Sequence, residues 1–286
     1  MAILSCATID AFAADILILQ SSRTQVMEQM IRLVQNGCAP ESRTLVLSDY
    51  AEADVARIVR EERPSVVVAI GDRALAEAKK TRNLPVVYGM VLNEWEGNLA
   101  RNVSGVSSMV APKSYLKLFA KLNLRRVGIV YDRRKSGAYL DRAREAADSM
   151  GVELVPLQVR SPRQVMQKLA ELRERKVDAI WLLPDSTAVS PETVDSYFVF
   201  AQGNSLPVIG FSTAFLSKGA LAAVELSRSE LSDLICSKIK AGRSGEHSGT
   251  TDITSGRLFF NRAVAEKLRI SIPPFSTLEP SFSRGG

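Results

Sequence analysis

The sequence predicts an α/β protein built as two Rossmann-like lobes with parallel sheets, and three observations carry that prediction. From Asp15 onward, short apolar runs alternate with amphipathic helical segments. The alternation occurs twice, with a break at Ala111-Pro112 between two similar halves. The apolar runs end in small polar residues, which is where strands of an open parallel sheet meet a ligand.

Residues 177–193, VDAIWLLPDSTAVSPET, show the pattern most fully. Positions 179–183 are apolar without alternation, which suits a strand covered on both faces. Pro184 stops the run, and Asp185, Ser186 and Thr187 follow. Ser190 as N-cap, Pro191 at the first helical position and Glu192 in the first turn then predict a helix start. Asp185 and Ser186 stand either at a ligand or only in the turn that they cap, and the pattern fits both.

In the first half, ILILQ, RTLVLS, SVVVAIG and LPVVYGMV read as strands. The helices between them are SSRTQVMEQMIRLVQ, EADVARIVREER (ended by Pro64) and ALAEAKK, the first with Ser22 and Gln25 spaced as a capping box. The strand ends supply Ser21 and Ser22, then Gly71, Asp72 and Arg73, then Tyr88, Gly89 and Asn93. Serines there either cradle an anion on free backbone N–H groups or serve as plain caps. Trp95 either covers a ligand or folds under its own loop.

The second half begins after NVSGVSS (102–108) with the strand RRVGIVYD and the helix SGAYLDRAREAADSM, closed by Gly151. The strand ELVPLQV follows, and then the helix SPRQVMQKLAELRER, with Ser161, Pro162 and Gln164 as cap, first residue and capping partner. Beyond the helix PETVDSYFVFAQ come two strands, LPVIGFS and ALAAVEL, with a short helix TAFLSKG between them. SRSELSDLICSKIKAG is an amphipathic helix with a Ser227–Glu230 capping box; a polar loop (242–252) and RLFFNRAVAEKLRISIP complete the chain's return to the lobes. The expected division is a first lobe over 14–108, joined by about 225–249, and a second over 109–224, joined by about 250–273. Residues 274–286 are expected to form a tail, and the crossings to lie near 108–112, Glu225 and Thr250.

Composition narrows the function. Hydrophobic residues make up 46% of the 286 and charged residues 24%, ordinary for a globular protein, and no run is long enough to span a bilayer. The net charge is +6, but Lys and Arg are scattered among 31 acidic residues, so we expect a solvated basic surface and no nucleic-acid partner. The single histidine, His247 in a Gly/Ser-rich loop, argues against histidine-based triads and excludes multi-histidine metal sites, and the three cysteines have no metal-ligand spacing. No strand runs into a glycine-rich dinucleotide or phosphate motif. We therefore expect no catalytic residue, no metal and no cofactor.

Residues 1–13 read as the remnant of a secretory signal, because Ala11-Phe12-Ala13 has the small-x-small form of a cleavage site. Cys6 offers a lipid-anchor alternative, although Leu4 fits that box poorly. Cys38 and Cys236 are expected to be separate buried thiols, and to pair only if both belong to the first lobe of an exported protein.

The joint order of AIGDRALAEA, LPVVYGMV, NVSGVSS, VGIVYDRRKSGAYLDRAREAADSM, VDAIWLLPDSTAVSPETV, LPVIGFS, GALAA and FFNRAVAEKLRISIP resembles the ABC-transporter substrate-binding family that includes the tryptophan- and tyrosine-binding lipoproteins. The resemblance implies a type I periplasmic binding fold, with two lobes, a hinge, and a small molecule clamped between them. It also implies an ABC permease and its ATPase as partners, a periplasmic or otherwise extracytoplasmic location, and a monomer that reaches the membrane only through the permease or a lipid anchor. Many relatives carry Thr/Ser-Asp-Pro after the fourth strand, where this chain has Val91-Leu92-Asn93-Glu94-Trp95, so aromatic amino-acid specificity does not transfer.

For an amino acid or similar zwitterion, Asp132 and Asp185 are the candidate carboxylates for the ammonium group. Ser21, Ser22, Ser136 and Ser186 are candidate donors to its carboxylate, and Tyr88, Trp95 or Phe211 would flank its side chain. Asp72, Asn93, Tyr131, Thr187 and Ser212 complete the set by standing at the same strand ends. The competing expectations are a ligand-sensing module of a signalling system and an enzyme of nucleotide-sugar type on two Rossmann-like lobes.

Overall fold

The computed structural model describes residues 15–92, 99–246 and 249–284; the leader-like segment 1–13, Asn93, Trp95 and His247 lie outside them. In chain order the elements are β1 (Ile16–Gln20), α1 (Gln25–Cys38), β2 (Arg43–Val46), α2 (Val55–Glu62), β3 (Val66–Ile70), α3 (Asp72–Ala78), β4 (Val86–Gly89) and β5 (Val103–Val110). Then come α4 (Pro112–Lys121), β6 (Arg126–Tyr131), α5 (Arg133–Ala147), β7 (Glu153–Gln158), α6 (Val165–Glu174), β8 (Ala179–Trp181), α7 (Val194–Gly203), β9 (Val208–Gly210) and β10 (Ala222–Leu226). The chain closes with α8 (Arg228–Arg243), β11 (Thr250–Ile253), β12 (Gly256–Phe260), α9 (Arg262–Leu268) and β13 (Phe282–Arg284). No helix among the described residues is long and apolar enough to cross a membrane.

Two sheets result, ordered β11-β5-β4-β3-β1-β2 and β13-β12-β10-β9-β8-β6-β7. Among the described residues, each pair with a given register is parallel except β10 with β12. In each sheet the strand order reverses once, between β1 and β3 and between β6 and β8. Those reversals open the crevices where doubly wound sheets take ligands.

The chain divides into two compact units. The first holds the described residues to Gly89, Leu99–Gly105 and Ser232–Gly249; the second holds Val106–Leu231, the described residues from Thr250 and the short stretch from Met90. The first unit buries β1, β3 and β4 along their whole length, as their unbroken apolar runs require. The core of the second gathers Trp181 among Tyr115, Phe119 and Tyr139, with ring centroids 4.9, 5.3 and 5.8 Å away. The Tyr139 hydroxyl donates to the Val110 carbonyl at 2.7 Å, so its polar end is satisfied inside that core.

Several local expectations are corrected. Thr24, not Ser22, caps α1, accepting from the Met27 amide, because Ser22 still belongs to the turn leaving β1. Strand β8 ends at Trp181, and α7 starts at Val194 instead of Pro191. Thr193 is the reason: its hydroxyl accepts from the Ser190 amide and donates to the Ala188 carbonyl, winding 186–193 into turns first. Gln164 bonds the Arg160 amide, and 162–164 is a short 3-10 turn before α6. The expected helix at 213–219 contracts to a 3-10 turn at Thr213–Phe215. Helix α4 was not read from the sequence, although Pro112 starts it; β11 lies in the expected polar loop. The expected tail supplies β13, with Leu278 and Phe282 buried.

Cys38 and Cys236 are not separate thiols. Both fall in the first unit and form a disulfide, with Cα atoms 5.7 Å apart across a separation of 198 residues. Gly37 packs against Cys236 Sγ, which lets the end of α1 approach α8 closely.

Candidate functional site

In the second unit the carboxyl ends of β6 and β8 are joined by one carboxylate. Asp185 is only 2% exposed. Its Oδ2 accepts from the Asp132 backbone N–H at 2.7 Å and the Ser136 hydroxyl at 2.6 Å. Its Oδ1 accepts from the amides of Thr187 at 3.0 Å and Ala188 at 2.9 Å. Four donors satisfy both oxygens, so the buried charge is held by the protein's own groups.

Asp132, 1% exposed, is the N-cap of α5. It accepts from the Arg134 amide at 3.0 Å and from the Arg134 guanidinium at 2.7 and 3.1 Å. The guanidinium bond is the main reason its carboxyl is held down at about 2; burial opposes that effect, and the Thr187 side chain adds a hydrogen bond. Sequence expectations thus meet here as a network: Asp132, Ser136, Asp185 and Thr187 are mutually bonded. Tyr131 is buried at the end of β6. Ser186 is exposed.

One strand pair further on, β9 and β10 end in a second group. Phe211 is half-buried and meets Phe215 edge-on at 5.1 Å. Ser212 accepts from the Ala214 amide at 3.3 Å. Glu225 Oε1 accepts from the Thr213 amide at 3.0 Å and its hydroxyl at 2.6 Å. The registers relate the two groups: Gly128 pairs with Ile180, Ile180 with Val208, and Ile209 with Ala222. Carried to the strand ends, they align Asp132, Pro184, Ser212 and Glu225 in one row, with about 4.8 Å between neighbouring strands.

In the first unit, Ser21 Oγ accepts from the Ala74 amide at 2.9 Å, capping α3 from the neighbouring strand. Its own amide donates to the Ile70 carbonyl at 3.0 Å. Gly71, the N-cap of α3, has φ +95°, and a Cβ there would lie 2.6 Å from Ser21 Oγ. Only glycine serves both the backbone and the close approach. Ser22 is half-buried with the Met27 sulfur 3.9 Å from its hydroxyl, and Asp72 is exposed in the first turn of α3. Tyr88 is fully buried within the sheet, its ring over Gly105.

Arg134, Thr213 and Glu225 were missed as site residues. Arg134 was signalled by its place two residues after a helix N-cap, and Glu225 by being a charge near the end of an otherwise apolar strand. A groove of about 910 Å³ also lies in the second unit, between β12, α9 and residues 270–275. Since β12 ends beside the start of β10, that groove lies at the amino end of β10, away from the row at its carboxyl end.

The family described as "ABC transporter substrate binding protein" matches residues 21–277. The chain belongs to that substrate-binding family. No curated protein matches it significantly. Among solved structures, it is similar to the ABC domain in complex with L-Trp from Streptococcus pneumonia, at 23% identity and TM-score 0.61, covering 92% of this chain and 98% of that one. A ligand-free, open substrate-binding protein with adhesive properties from Clostridium difficile gives 19% identity and TM-score 0.64, covering 95% and 99%. A conserved domain protein from Vibrio cholerae gives 20% identity and TM-score 0.61, covering 93% and 97%. The fold of this substrate-binding family member is the type I periplasmic binding fold. Solute binding is thus the role of the family, and the strand carboxyl ends are where such a fold receives a solute.

Proposed function

We propose that this substrate-binding protein works outside the cytoplasm, capturing an amino acid or related zwitterion and delivering it to an ABC permease and its ATPase. The observation that carries the solute class is the row of strand ends in the second unit, where carboxylates and hydroxyls stand at one level with the half-buried Phe211 beside them. Such a row matches an ammonium group and a short side chain. In this reading Ser21 and Ser22, at a strand end of the first unit, are donors to a solute's carboxylate. The Cys38–Cys236 disulfide supports an oxidising, extracytoplasmic compartment.

A thermal-shift panel of amino acids, short peptides, sugars and other small metabolites tests the reading. A true solute at about one hundred times its dissociation constant stabilises the protein by about 2.7 kcal/mol. The expected result is a shift with one or a few amino acids. Shifts confined to sugars or other solutes without an ammonium group would reject the amino-acid class, and a panel with no shift at all would reject solute capture.

A further inference from the structure

The two aspartates that the sequence offers as ammonium partners are already spoken for inside the fold. Asp185 receives four hydrogen bonds, and Asp132 receives the Arg134 guanidinium and amide together with the Thr187 side chain. Neither can take an ammonium group without breaking bonds that hold β6, β8 and α5 in place. A third carboxylate stands in the same row as Asp132. Glu225 is half-buried at the end of β10, beside Ser212 and Thr213.

Resting on the solute-binding reading above, we propose that Glu225 is the residue that selects an ammonium-bearing solute. Its two oxygens are used unequally. Oε1 accepts from the Thr213 amide and hydroxyl, which fixes the carboxylate at the mouth of the β9–β10 pair. Among the described residues no donor is bonded to Oε2 and no cation pairs with Glu225. The cross-strand neighbour Arg257, the nearest candidate by register, is instead set over the Phe259 ring at 5.2 Å. One oxygen therefore anchors the group while the other keeps its acceptor capacity. The half-buried Phe211 follows the adjacent β9, packed edge-on against Phe215, one residue before Ser212 in the row. A carboxylate anchored through one oxygen binds a primary ammonium with little loss of side-chain freedom, and rejects solutes that carry only a carboxylate.

Titration calorimetry with the standard L-amino acids and their deaminated counterparts (phenylalanine with hydrocinnamate, leucine with isocaproate, glutamate with glutarate) tests this. Glu225→Gln keeps an oxygen for Thr213 and removes only the charge. The expected result is a loss of roughly 10- to 100-fold in affinity for the amino acid that binds, with no loss for its deaminated counterpart. Thr213→Val, which keeps the charge but removes one anchoring bond, should hold affinity within about threefold. Wild-type affinity in Glu225→Gln would overturn the assignment and leave the amino-acid reading standing. Equal losses in both variants, and for both members of a pair, would show that Glu225 only shapes the turn, which also overturns it. A wild-type preference for deaminated acids would overturn ammonium selection while leaving solute binding intact. No binding to any member would take down the amino-acid reading itself.

Discussion

Replacing Asp185 with Asn probes whether this residue is a latch or a ligand contact. In the wild type its carboxylate receives two donors on each oxygen at 2.6–3.0 Å, in a side chain that is 2% exposed. Asparagine keeps one acceptor oxygen and turns an NH2 group toward two of the donors. The Ser136 hydroxyl can rotate to accept, but the facing backbone N–H cannot. One buried donor left unsatisfied costs about 1–3 kcal/mol, and loss of the charge weakens the remaining bonds, so a total of about 2–5 kcal/mol is expected. For a domain of this size that lowers the midpoint of thermal unfolding by roughly 5–15 °C. Scanning calorimetry reads the midpoint, and titration calorimetry on the same sample below the transition reads affinity for the amino acid found in the panel. We expect a large loss of stability with affinity retained within about threefold at low temperature. An unchanged midpoint with strongly reduced affinity would refute the latch and return Asp185 to the ammonium role that its position in the sequence offers.

Two further outcomes follow from bonds in the fold. Removing the disulfide as Cys38→Ser with Cys236→Ser opens a loop closed over 198 residues, which chain entropy values at about 5 kcal/mol; urea midpoints of the paired variant and wild type check this, and equal midpoints would reject a structural disulfide. Asp132 is held at about 2 by Arg134, below the ordinary 3.8, so its stabilisation is complete above about pH 4 and is lost as pH falls through about 2. Because the Arg134 side chain is 68% exposed, the effect is screened and amounts to about 1–2 kcal/mol at neutral pH. Arg134→Ala should move the acid midpoint of unfolding upward, and an acid transition identical to wild type would dismiss the ion pair.

The fold was legible because its signals are local. An unbroken apolar run such as 66–70 names a doubly covered strand without knowledge of its neighbours, and Ser227 with Glu230, or Gly151 after a helix, names a terminus within four residues. The misplaced boundaries share one cause. At Ser22 and at Ser190 the expected cap has a second serine or threonine close by, and the polar side chain that wins is the one whose backbone has already left the strand's turn. The disulfide was hidden by its 198-residue span, since neither thiol carries any local mark of its partner.

The site was half legible, and the missing half is a matter of hydrogen-bond capacity rather than position. Asp132, Ser136, Asp185 and Thr187 were picked out as polar residues at strand ends, and the fold does bring them together across 49 to 53 residues of sequence. What sequence cannot show is that each already satisfies another. The same holds in the first unit, where Ser21 spends its hydroxyl on the Ala74 amide over a separation of 53 residues. In both units the polar residues at the switch point stitch the crevice instead of leaving it open. Rigid strand ends result, and with them a fixed frame on which a neighbouring group with spare capacity can be aimed. Glu225 has that capacity because its strand lies outside the switch point, where only the short Thr213 turn competes for its oxygens. The residues most conspicuous as ligand contacts in the sequence are therefore the ones that the fold consumes, and selectivity passes to the carboxylate one strand pair away.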